Sequence, residues 1–88
     1  MEVPIDILHR YLERRLKDLE NCSQWVRDKN FVNLEKVGHQ LKGNGSTFGF
    51  EELSRIGVIM EDAAKRKDLP ELENVVRYFN AWINQNLS

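Results

Sequence analysis

Apolar residues recur at three- and four-residue steps along almost the whole chain, and nowhere do they alternate with polar ones at a period of two. That spacing lays a stripe along one side of an α-helix, and the stripe must be buried against another helix. The first stretch runs from about Pro4 to Arg27, with Leu8, Tyr11, Leu12, Arg15, Leu16, Leu19, Cys22 and Val26 on its stripe. Pro4 suits a first helical turn, where its missing N–H is not needed. Asp28-Lys29-Asn30 breaks the pattern, and Asn30 suits the cap of the next helix. The second stretch spans about Phe31 to Phe48, with Leu34, Val37, Gly38, Leu41, Gly45 and Phe48 on the stripe and Gly49 at the expected left-handed C-terminal position. The third spans about Glu51 to Arg66, with Leu53, Ile56, Met60, Ala63 and Ala64 on one side. Asp68 and Glu71 have capping-box spacing around Pro70, and the fourth runs to about Asn86 with Leu72, Val75, Val76, Phe79, Trp82, Ile83 and Leu87 apolar. The breaks are short, so neighbouring helices should run antiparallel. The expected fold is an all-α, up-down-up-down four-helix bundle.

At 88 residues the chain is expected to form one domain over 1–88, with no room for a separate nucleotide-binding domain. Its 13 basic and 14 acidic side chains are spread along the length, giving a net charge of -1 and no basic surplus of the kind nucleic acid needs. Lys65-Arg66-Lys67 closes a predicted helix, where cations complement the dipole. No apolar run is long enough to cross a bilayer, and Met1-Glu2-Val3-Pro4 has neither part of a secretory signal. The lone Cys22 excludes an internal disulfide and fits a cytoplasmic protein; it is expected to be a half-buried packing thiol. A free-standing monomer is expected, because one bundle uses the apolar positions and the chain opens on Met1.

The middle of the second stretch does not fit a plain bundle. Gly38, Gly43 and Gly45 fall within eight residues of a predicted helix, at roughly 1 kcal/mol each relative to alanine. Gly38 and Gly45 lie on the buried stripe, where a missing side chain lets two helices approach closely. Gly43 falls on the outer face with Glu35, Lys36, His39, Lys42 and Ser46. His39 therefore carries an exposed imidazole, with a lysine three residues on and a bare patch four residues on. Lys42 can reach an anion borne by His39, and Gly43 leaves room for another protein to approach. A nucleophile, a cation and clearance together are what phosphoryl transfer to histidine requires.

His39-Gln40-Leu41-Lys42-Gly43, followed by Gly49, Leu53 and Glu61, resembles the signature of histidine-containing phosphotransfer (HPt) domains. The match is close over the second and third helices, and the outer helices agree in length and apolar pattern. Asn44 stands where that pattern leads us to expect a small residue. The resemblance implies that His39 is the phosphoacceptor through Nε2, that Lys42 stabilises the phosphoryl oxygens and that Gly43 gives the partner access. It also implies that Glu61 accepts a hydrogen bond from the other ring nitrogen and orients the imidazole. The implied partners are receiver domains of response regulators or hybrid histidine kinases, which supply Mg²⁺, so no cofactor or metal site is expected in this chain. Val32, one helical repeat before His39, is a candidate apolar docking contact.

Competing readings are weaker. Gly43, Gly45 and Gly49 have no preceding strand and the wrong lysine position for a nucleotide loop. The ATP-binding boxes of histidine kinases are missing from the sequence, so no kinase activity is expected. His9 and His39 lack zinc-ligand spacing. Trp25 and Trp82 read as core or rim. The alternatives are a helical adaptor that binds a receiver or kinase without taking phosphate, and the phosphoacceptor domain of a larger kinase.

Overall fold

The computed structural model describes residues 3–87; Met1, Glu2 and Ser88, and with them the reading of Met1 as a start, lie outside the described residues. The described residues form four helices and no strand: α1 (Ile5–Asp28), α2 (Phe31–Thr47), α3 (Glu51–Lys65) and α4 (Leu69–Leu87). The expected helical fold is present, with boundaries within two residues of those read from the sequence.

The three breaks share one geometry. Lys29, Gly49 and Lys67 each take a positive φ, of 56°, 86° and 53°. At each, the next residue's N–H reaches back to a carbonyl five positions earlier: Asn30 to Trp25, Phe50 to Gly45 and Asp68 to Ala63. These bonds satisfy carbonyls that a helix end leaves unpaired. Gly49 was legible because glycine enters this region without strain, whereas the two lysines carry a Cβ into it. Asn30 then caps α2 by accepting from the Asn33 N–H at 3.1 Å. Asp68 does the same for α4 through Glu71 N–H at 3.1 Å. Only half of the capping box forms there, because the Asp68 N–H is already committed to Ala63. Arg66 straddles the turn, 2.9 Å from both Asp62 and Asp68.

Each helix contacts two neighbours in a closed ring, α1–α2–α3–α4–α1, and the α2–α3 contact is by far the most extensive. Leu34 and Leu41 of α2, Leu53, Ile56 and Met60 of α3, and Leu72, Phe79 and Ile83 of α4 are fully buried between them. Each such side chain contributes about 1.5–3 kcal/mol of apolar burial. Cys22 was expected half-buried and is fully buried, its Sγ 3.9 Å from Met60 Sδ. Loss of solvent pushes its thiol pKa up to about 12, with Asp18 adding to the rise. Trp82 is buried and Trp25 packs at the rim.

At the end of the bundle where α2 gives way to α3, Tyr11 stacks on Phe48 at 4.1 Å, and Phe50 meets Trp82 edge-on at 5.3 Å. Arg15, read as a stripe residue, lies over the Tyr11 ring and pairs with Asp18 at 2.8 Å. Its stem packs while its head is neutralised. Asn44 accepts a hydrogen bond from the Tyr11 hydroxyl, so the residue that departs from the HPt pattern ties α2 to α1.

Candidate functional site

The site grows from the way α2 and α3 touch. A Cβ at Gly38 would lie 2.5 Å from the Glu61 backbone nitrogen, and one at Gly45 would lie 2.6 Å from that of Ser54. A Cβ at Gly57 would fall onto the Lys42 backbone nitrogen and 2.6 Å from the Gly38 carbonyl oxygen. Rising numbers on α2 thus meet falling numbers on α3, so the two helices are antiparallel, and three glycines bring their backbones into contact. The buried Ser54 finishes the seam: its hydroxyl accepts from Ser46 N–H at 2.7 Å and donates to the Lys42 carbonyl at 3.1 Å.

That approach brings Glu61 beneath the outer face of α2. Its Oε2 lies 2.8 Å from His39 Nδ1 and its Oε1 lies 2.9 Å from Lys42 Nζ. One carboxylate therefore joins the two side chains, 22 residues away in sequence from the histidine. The three differ sharply in exposure: the Glu61 side chain is 12% exposed, Lys42 44% and His39 68%. The hydrogen bond from Lys42, and then that from His39, hold the Glu61 carboxyl below its ordinary pKa, which keeps it ionised at neutral pH. The imidazole is held by one nitrogen, with Nε2 on the opposite edge of the ring.

Apart from its chain neighbours and the nearby backbone of its own helix, Gly43 has no described atom within 4 Å of where its Cβ would stand. On the other side of His39 a depression of about 550 Å³ is bounded by Val32, Glu35, Lys36, His39, Gln40 and Glu61. Val32 is 74% exposed at its edge. Ser46, placed by helical spacing on the same broad face, is tied down by Ser54 and Glu51 instead. Lys42, expected to reach toward an anion on His39, rests on Glu61. Ser54 and Gly57 were not singled out in the sequence. The signal was there, because Ser54, Gly57 and Glu61 form a non-apolar row along the buried side of α3. Among the described residues no group of three or more His, Cys, Asp or Glu side chains could hold a metal ion. No helix of the structure is long and apolar enough to cross a membrane.

No curated protein and no solved structure matches the chain significantly. A family model does: the Hpt domain matches residues 6–86, which takes in all four helices and the whole of the His39 site. A four-helix chain that offers an exposed histidine on its second helix, matched over nearly its entire length, belongs to the Hpt domain family, the histidine phosphotransfer modules that work with receiver domains in two-component phosphorelays and are not kinases.

Proposed function

We propose that His39 accepts a phosphoryl group from the aspartyl phosphate of one receiver domain and passes it to the aspartate of another. The observation that carries this reading is the contact between His39 Nδ1 and Glu61 Oε2 on a ring that is otherwise open to solvent. An ionised carboxylate can only accept a hydrogen bond, so Nδ1 carries the hydrogen, and in the neutral ring Nε2 keeps a free lone pair. That lone pair attacks phosphorus, the N–P bond forms, and the P–O bond to the aspartate breaks with its electron pair leaving on the carboxylate. No proton has to depart from Nε2. The positive charge gained by the ring is shared with Nδ1, against the Glu61 carboxylate. Lys42 neutralises phosphoryl oxygens, and Gly43 lets the receiver surface come near.

Mg²⁺ is assigned to the receiver, and this chain contributes the nucleophile and the docking face as a single monomeric domain in the cytoplasm. It has no kinase activity of its own in this reading, because the sequence lacks the ATP-binding boxes. The test is to incubate the protein with phosphorylated receiver domains and Mg²⁺ and look for acid-labile, alkali-stable label. Label on the wild type and none on His39→Gln is expected, with none from ATP alone. A folded protein that binds a receiver yet takes no label from any cognate one would make it an adaptor.

A further inference from the structure

In the structure, the task just given to Lys42 competes with a partner the lysine already has. Its ammonium is 2.9 Å from Glu61 Oε1, and the other oxygen of that carboxylate holds Nδ1. A group added to Nε2 grows from the opposite edge of the ring, away from Glu61. We propose that Lys42 exchanges partners during the phosphoryl cycle, resting on Glu61 while His39 is bare and moving to the phosphoryl oxygens once His39 is loaded. This deepens the phosphoacceptor reading and rests on it.

Charge balance favours the exchange. Before loading, Glu61 is a monoanion facing one cation and one neutral ring. After loading, the ring bears positive charge next to Glu61, and a group with about two negative charges stands on the far side. Two close pairs then form, Glu61 with the ring and Lys42 with the phosphoryl group. The carboxylate, which is mostly out of solvent, keeps a cationic neighbour throughout and is never left unpaired. The phosphoryl group offers Lys42 more charge and more acceptor oxygens than one carboxylate oxygen does. The lysine is suited to such a move, being a point charge on a flexible stem and 44% exposed. Glu61 would thus hold the lysine ready and set how readily it departs, a role separate from orienting the ring.

The exchange is tested with the full chain by comparing wild type and Lys42→Met, each bare and each phosphorylated, at mildly alkaline pH where phosphohistidine persists. The Glu61 side-chain carboxyl ¹³C resonance is read in all four states. In the bare protein, removing the ammonium is expected to displace that resonance. In the phosphorylated protein the displacement is expected to collapse, because Lys42 has already left, while the ³¹P resonance now differs between the two chains. A displacement that persists undiminished after loading, with no ³¹P difference, would overturn the exchange and leave the phosphoacceptor reading standing. Failure of His39 to take label in the wild-type chain would overturn both.

Discussion

Gly38 and Gly57 are each seated against the other's carbonyl oxygen. A Cβ on Gly38 would lie 3.0 Å from the Gly57 oxygen, and one on Gly57 would lie 2.6 Å from the Gly38 oxygen. The neighbours they touch are residues of the site, since Gly38 backs onto Glu61 and Gly57 onto Lys42. The reach from Glu61 to His39 therefore depends on two absent side chains as much as on the residues present.

Gly57→Ala forces the α2 and α3 backbones apart, and overpacking of this kind costs about 1–3 kcal/mol. Glu61 moves with α3, so its bond to His39 should lengthen. Denaturant unfolding together with ¹⁵N shifts of the His39 ring checks both effects. A variant of wild-type stability with an unchanged ring spectrum would show that the seam tolerates a methyl.

Gly43→Ala has the opposite sign. The added methyl meets no described atom within 4 Å beyond its chain neighbours and the nearby backbone of its own helix, so the helix should gain about 1 kcal/mol. The same methyl stands on the face proposed to meet a receiver, and transfer is expected to slow by about tenfold if docking loses about 1.4 kcal/mol. Urea unfolding and the rate of label transfer, measured on one preparation, separate the two effects. A more stable variant that transfers as fast as wild type would remove Gly43 from the docking face.

Acid should destabilise the fold partly through Glu61. Its carboxyl is held below the ordinary value of 4.5, chiefly by Lys42 and then by His39. The unfolded chain therefore takes up this proton at a higher pH than the folded one. The resulting stability is complete above about pH 4.5 and declines as pH falls, disappearing once the folded carboxyl is protonated. Lys42→Met removes the largest cause, so stability should fall less steeply with acid than in the wild type. Urea unfolding at several pH values from 3 to 7 (roughly the range over which carboxylates titrate) measures the difference, and parallel curves would refute it.

Lys29→Gly and Lys67→Gly should each stabilise the protein by about 0.5–1 kcal/mol, by removing a Cβ from a left-handed turn. Gly49→Ala, at φ 86°, should lose about as much or more. Thermal unfolding of the three variants ranks them, and a stabilising Gly49→Ala would contradict the shared geometry of the breaks.

What the sequence made legible is local. The helices and their ends followed from the apolar stripes, Asn30, Asp68 and Gly49, because helix period and capping depend on residues three to five apart. The close approach at Gly38 and Gly45 was also readable, since a helical glycine on a buried stripe has few other uses. Gly57 belongs to a non-apolar row with Ser54 and Glu61 on the buried side of α3, but the meaning of that row lies in the α2 backbone opposite, which the sequence of α3 does not show. Lys29 and Lys67 gave no local sign of a left-handed turn, which hydrogen bonds across the helix end impose on them. Helical spacing put Lys42 near His39 but could not say which of two anions it would prefer. That choice needed Glu61 in space, 22 residues away from His39 along the chain.

The seam between α2 and α3 also divides the molecule by the kind of change it can absorb. His39, Lys42 and Gly38 on one helix and Gly57 and Glu61 on the other keep the chemistry inside a single hairpin, closed by hydrogen bonds and backbone contact. The outward faces of α1 and α4 lie beyond it. A lineage can rewrite those faces without touching any contact that holds Glu61 against His39 and Lys42.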